Sequence, residues 1–231
     1  MFQKIIKLFQ TVGMIHFWGD YFDSRFYIAK IISGKRTEYT LDIGCGAGVM
    51  LFFANSPNKI GIEIEIESLK QAKKLDQKIE LIQADANYLP FKENFCQRIS
   101  AMHLFPVMKN MNADWKKAIK EIQRISTYDS EILITGANRL SRHFKKTHSI
   151  EHREAYLSYY ELNDELKNYF KTSIAGYGPY SKYTMYPFKI IFKFSDKILE
   201  KLCIERIIFN LLRSQRFLKD GRSYIIQGKK L

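Results

Sequence analysis

Between residues 39 and 135 the spacing of hydrophobic positions alternates between the short apolar runs of strands and the three- and four-residue stripes of helices. Apolar runs at Tyr39-Thr40-Leu41, Lys59 to Glu63, Ile79 to Gln83, Arg98 to Met102 and Glu131 to Thr135 predict five strands. Val49 to Ala54 reads as a short helix, closed by Asn55-Ser56-Pro57-Asn58. Ser68 to Leu75 reads as a second, with Leu69, Ala72 and Leu75 on one side and lysines outside. A third, about Ala113 to Ser126, carries Trp115, Ile119, Ile122 and Ile125 on one stripe and Lys116, Lys117 and Lys120 on the other. Strand-helix alternation of this kind predicts a parallel sheet covered on both faces. Right-handed crossovers then bring the strands' C-terminal ends to one edge.

Beyond Asn138 the pattern changes. Leu162, Leu166 and Phe170 predict a helix, Thr172 to Ala175 a sixth strand, and Ser223 to Gln227 a last strand that ends in Gly228-Lys229-Lys230. The last two strands are expected to pair antiparallel at the sheet edge. Between them, roughly over 177–220, lies an insertion that opens with Tyr177-Gly178-Pro179-Tyr180 and continues as a basic, apolar helical stretch from Phe188 to Leu212. The expected fold is α/β and Rossmann-like: a doubly wound, mostly parallel, seven-stranded sheet with an antiparallel last strand, a helical N-terminal cap and a helical insertion between strands six and seven. Its 231 residues suit one domain, read as a cap over 1–38, a core over 39–138 and a further part over 139–231.

A hydrophobic content of 46% fits a globular chain. With no uncharged apolar run of eighteen residues, and Lys4, Lys7 and Gln10 interrupting the first segment, neither a membrane span nor a signal peptide is expected. Cys45, Cys96 and Cys203 are odd in number and scattered, which suits a reducing cytosol and argues against structural zinc. The net charge of +13 is uneven. Residues 1–40 carry +3, residues 41–138 are neutral, and residues 139–231 carry +10, so the basic excess flanks the strand-rich core.

Directly after the first strand the chain reads Asp42-Ile43-Gly44-Cys45-Gly46-Ala47-Gly48. A strand ending in glycines at two-residue spacing makes a tight turn that lets backbone amides and a helix N-terminus approach a nucleotide-like cofactor. The dinucleotide fingerprint G-x-G-x-x-G is excluded, because Val49 stands where its third glycine belongs, and no Gly-Lys-Ser/Thr follows for a phosphate loop. Nineteen residues past Gly44, Glu63 ends strand two, where a carboxylate accepts both hydroxyls of a ribose.

The spacing Asp42-x-Gly44-x-Gly46-x-Gly48 resembles motif I of the class I S-adenosylmethionine (SAM) methyltransferases. The resemblance runs from about Thr40 to Asn138 through Gln83-Ala84-Asp85-Ala86, Leu89-Pro90-Phe91, Asn94-Phe95 and Glu131-Ile132-Leu133-Ile134, as in the type 11 branch that includes quinone-, sugar- and lipid-modifying enzymes. It implies S-adenosyl-L-methionine as cofactor, held by Asp42, Gly44, Cys45, Gly46, Gly48, Glu63, Asp85, Ala86 and Met102. Within that set Asp85 would meet the exocyclic amine of adenine and the next amide a ring nitrogen. It also implies methyl transfer by in-line displacement, with release of S-adenosylhomocysteine. The chain departs from the branch at Cys96, where aspartate is usual, and at Met102-His103-Leu104-Phe105-Pro106, where Leu-Glu-His is common.

Where the acceptor must be deprotonated, His103 is the candidate general base, with His148, Glu151 and His152 as further candidates after strand five. The loop after strand four lacks the Asn/Asp-Pro-Pro-Tyr/Phe of exocyclic-amine enzymes, and no cysteine follows proline as in pyrimidine C5 enzymes. Those absences favour a small-molecule or lipid-linked acceptor over RNA. The basic stretch holding Ile191, Phe194, Ile198 and Leu202 can serve as a lid, as a contact for an anionic membrane or as a partner surface. The expected location is the cytoplasm, free or at the membrane periphery. An RNA methyltransferase using the basic C-terminal region, and a noncatalytic SAM-binding scaffold, remain alternative readings.

Overall fold

The computed structural model describes residues 37–54, 56–141, 144–145, 149–177, 213–214 and 223–231. Residues 1–36 of the cap, His148, Cys203 and the basic stretch from Phe188 to Leu212 lie outside the described residues. Numbered along those that are described, the elements begin with β1 (Tyr39–Ile43), α1 (Val49–Phe53), β2 (Asn58–Glu63), α2 (Ile66–Leu75) and β3 (Glu80–Gln83). They continue with β4 (Cys96–Met102), α3 (Leu104–Asn110), α4 (Trp115–Ile125), β5 (Ser126–Ala137), α5 (Ile150–Glu154) and α6 (Tyr159–Leu166). The last are β6 (Phe170–Tyr177), β7 (Arg213–Ser214) and β8 (Ser223–Lys230).

All strands join one sheet in the order β3-β2-β1-β4-β5-β8-β6-β7. The first five strands pair in parallel, and β8 runs antiparallel to both neighbours. The seven expected strands are therefore present, and the last two pair antiparallel toward the sheet edge as expected, with β8 lying between β5 and β6. One difference is β7, a two-residue strand within the insertion, which adds an eighth on the far side of β6.

Alternation along the strands assigns the two faces. Ile99, Ile132, Ile134 and Ile226 point to one face, where α4 contributes Ala118, Ile119, Ile122 and Ile125, and α6 contributes Leu162 and Leu166. Each such isoleucine or leucine, fully buried, contributes about 1.5–3 kcal/mol. The opposite face carries α1 and α2. Gly61 lies against Leu51 of α1 there, and Ala72 of α2 lies against Gly48.

Hydrogen bonding, not apolar content, sets where several elements begin and end. α4 starts where Asp114 accepts from the Lys117 amide, and it turns straight into β5 at Ser126, whose hydroxyl donates to Ile122 O at 2.6 Å. Phe170, read as the last helical position, is instead the first residue of β6, paired with Lys230 and almost fully buried. The helix α3, which the hydrophobic pattern does not announce, follows β4 after His103, a left-handed residue at φ 58°.

Candidate functional site

Strand order reverses at the centre of the sheet: β2 and β3 lie to one side of β1, β4 and β5 to the other. The crevice at the C-terminal ends of β1 and β4 is where such sheets bind ligands. The glycine turn sits there. Its amides are satisfied within the protein: Gly44 N and Cys45 N both donate to Ile62 O, at 2.8 and 2.9 Å, and Gly48 N donates to Cys45 O at 2.9 Å. The expected approach of a cofactor to these particular amides therefore meets groups already paired, which locks the turn to β2.

All three glycines have positive φ but different surroundings. A Cβ at Gly48 (φ 74°) would lie 2.9 Å from the Ala72 Cβ, and one at Gly44 would lie 3.0 Å from a Leu104 methyl. Gly46 (φ 51°) has nothing within 4 Å in that direction. The turn is thus packed below and beside, against α2 and the start of α3, and open at its tip.

Glu63 closes the other side of that opening. Its Oε2 accepts from Gly46 N at 3.0 Å, and its Oε1 accepts from the amides of Ile64 and Glu65 at 2.8 and 3.2 Å. An ionised carboxylate has about four acceptor positions, so three are engaged and a vicinal diol would take the last and displace one amide. β3 is the next strand, with Ala84 N donating to Glu63 O. Asp85 follows it, exposed, its Oδ1 accepting from Asn87 N at 2.8 Å, and Ala86 is half-buried. Gly46, Glu63, Asp85 and Ala86 therefore stand along one edge.

Other residues named from the sequence are placed differently. Asp42 is buried at 1% exposure and accepts a 2.6 Å hydrogen bond from Ser100. The Cys45 side chain turns inward against Gly61, and burial pushes its thiol pKa up. Met102 is buried, its sulfur accepting from Thr135. His103 is half-buried at the end of β4, where its amide donates to Thr135 O. Cys96 is fully buried at an irregularity in β4. Burial raises its thiol to about 11, although Sγ donates to Arg98 O. Glu151 lies exposed in α5, hydrogen bonds from its own backbone and Ser149 lowering its pKa; His152 falls in the same short helix.

One polar cluster beside this edge was not singled out. Glu161, in the first turn of α6, accepts from Lys109 of α3 at 2.9 Å, from Arg139 after β5 at 2.9 Å and from Ser158. Burial would raise the Glu161 carboxyl, but these hydrogen bonds, from Ser158 and Lys109 foremost, hold it at about 2. The signal was in the sequence as Ser158-x-x-Glu161, a capping box whose reciprocal bonds are both present. A second cluster pins the loop after Asp85. Arg124 donates to Phe91 O at 2.7 Å, to Leu89 O at 3.0 Å and to Glu121, while Glu121 accepts from Leu89 N.

A parallel sheet with this reversal, a glycine turn at the crevice and an acid at the tip of the second strand defines a Rossmann-like domain for a nucleoside-type cofactor. Residues 41–134 match the family described as Methyltransferase domain, Methyltransf_11. That segment is similar to the SAM-dependent methyltransferase domains of this family, whose cofactor is S-adenosyl-L-methionine. An uncharacterized protein of Methanocaldococcus jannaschii is 34% identical over 104 residues, 45% of this chain and 39% of that one. A second protein from the same organism is 28% identical over 112 residues, 48% of this chain and 46% of its own length, so the match spans less than half of either relative. Among solved structures, a SAM-dependent methyltransferase of Thermotoga maritima is similar at a TM-score of 0.64 and 14% identity, over 99% of this chain and 100% of that one. One from Archaeoglobus fulgidus is similar at 0.58 and 18%, over 94% and 99%. These likenesses establish the fold.

Proposed function

We propose that the chain transfers a methyl group from SAM to a small-molecule or lipid-linked acceptor at the edge formed by Gly46, Glu63, Asp85 and His103. The observation that carries the reading is the open tip at Gly46 bounded by the Glu63 carboxylate, a cradle that any side chain at 46 would begin to fill. In this reading Glu63 holds the ribose hydroxyls and Asp85 with the Ala86 amide reads the adenine edge. Gly44, Cys45 and Gly48 shape the turn, while Asp42 and Met102 support it from below. Bound there, the cofactor supplies an already activated methyl group, so the protein's contribution is mainly alignment and exclusion of water. His103 stands at the end of β4, beside the Leu104 side chain that covers Gly44, and it is the candidate to take a proton from a hydroxyl or amine acceptor.

The subdivision into a cap, a cofactor core and an acceptor-side part belongs to the same proposal. The neutral core meets the cofactor and the basic flanks meet the acceptor. Incubation of the protein with methyl-labelled SAM and a whole-cell extract, followed by separation into lipid, small-molecule, RNA and protein fractions, tests it. Label in the lipid or small-molecule fraction is the expected result. Label in RNA would transfer the basic region to nucleic-acid binding, and no transfer to any fraction would leave the noncatalytic reading.

A further inference from the structure

Away from the cofactor edge, a cavity of about 470 Å³ is lined by Arg98, Glu131, Lys171, Ser173, Gln227 and Lys229, together with neighbouring residues of the same strands. The strand register explains why these side chains meet. Arg98 pairs with Glu131, Glu131 with Lys229 and Lys229 with Lys171, so the four form one row across β4, β5, β8 and β6. Cross-strand partners share a face, and this row is on the side opposite Ile99 and Ile132, the face that carries α1 and α2 further along the sheet. The next row on that face, Ser100, Leu133, Gln227 and Ser173, supplies hydroxyl and amide groups. Arg98 lies four residues before the end of β4, about 13 Å from the cofactor edge at ~3.3 Å per residue.

The row is short of negative charge. Glu131 is its one carboxylate, and its Oε2 accepts from Arg98 at 3.0 Å. Lys171 and Lys229, both exposed, face each other directly, and neither has a carboxylate partner among the described residues. Like charges directly opposite on adjacent strands are destabilising, and an anion held between the two ammonium groups would relieve that repulsion. The cavity's volume falls in the range of sites that enclose a whole small molecule.

We propose that this cavity is a second ligand site, selective for a phosphate-bearing molecule, with Lys171 and Lys229 clamping the phosphate and Ser173 completing its hydrogen bonds. The site is separate from the cofactor edge, and its occupancy does not depend on methyl transfer.

Calorimetric titration of the full chain with inorganic phosphate and with pyrophosphate, against sodium chloride at matched ionic strength, tests the proposal. Saturable binding is expected, weakened at least about tenfold in the Lys171→Gln/Lys229→Gln double variant while SAM affinity stays unchanged. Sedimentation with phosphatidylglycerol vesicles, against phosphatidylcholine, separates the sources. Vesicle binding lost in the double variant assigns the phosphate to a lipid headgroup, whereas titration by free phosphate without vesicle binding assigns it to a dissolved molecule. Because both lysines are exposed, the variant is expected to fold, and relief of the like-charge pair should leave its melting temperature in phosphate-free buffer equal or higher. The proposal is overturned if neither phosphate nor vesicles bind saturably, if sodium chloride reproduces the effect, or if the double variant binds as the parent does.

Discussion

Gly46 and Gly48 share a left-handed backbone, yet alanine at the two positions should have different consequences. At either site an L side chain in this region costs about 1–2 kcal/mol. At Gly48 the added Cβ also meets Ala72 at 2.9 Å, within the packing of α1 against α2, which adds about 1–3 kcal/mol. We therefore expect urea unfolding to show Gly48→Ala less stable than Gly46→Ala by at least about 1 kcal/mol. SAM affinity should fall in Gly46→Ala although it folds, because its new methyl enters the open tip. Equal stabilities would mean that the turn relaxes away from α2.

At the scale of elements, two side-chain clusters fix what surrounds the site. Arg124 carries hydrogen bonds from α4 to the Leu89–Phe91 loop, and Arg124→Ala would leave the Leu89 and Phe91 carbonyls without it. A loss of about 2 kcal/mol by urea unfolding is expected, together with weaker SAM binding because the same loop follows Asp85. Glu161 ties α3, the segment after β5 and α6 together. Its carboxyl is depressed in the fold from 4.5 to about 2, so its stabilisation is complete above pH 4.5 and is lost as pH falls toward 2. With the side chain 42% exposed, screening limits the stake to about 1 kcal/mol or less. The stability advantage of the parent over Glu161→Gln should be present at pH 7 and mostly gone by about pH 2. An advantage independent of pH would show that the carboxylate charge is not what matters.

These clusters also mark the limit of what could be read without coordinates. The strands and helices of the core were legible because each has one uniform apolar face, as Ile119, Ile122 and Ile125 do on α4. α3 was not, because it begins at a left-handed histidine and carries Pro106, neither of which belongs to a helical pattern. Phe170 was misplaced because a residue buried at a helix-strand junction satisfies either period. At the site, residue types and spacing pointed to Gly46, Glu63 and Asp85. What spacing could not reveal was that the Gly44 and Cys45 amides are spent on Ile62, or that Asp42 faces Ser100, since both depend on pairing between residues 17 to 58 apart in the chain.

For the whole molecule, the fold divides its labour along the chain. The neutral stretch from 41 to 138 builds the crevice of the proposed cofactor site, and the surplus of positive charge lies before and after it. Among the described residues no helix is long and apolar enough to cross a membrane. The central claim is that Glu63 and the open glycine turn hold SAM. Titration calorimetry of SAM into the parent and into Glu63→Ala, with urea unfolding of both, addresses it most directly. The account predicts a parent that binds SAM and a folded variant whose affinity is lower by about tenfold to a hundredfold, from loss of charge-assisted hydrogen bonds to the ribose. An unchanged affinity in a folded Glu63→Ala would contradict it.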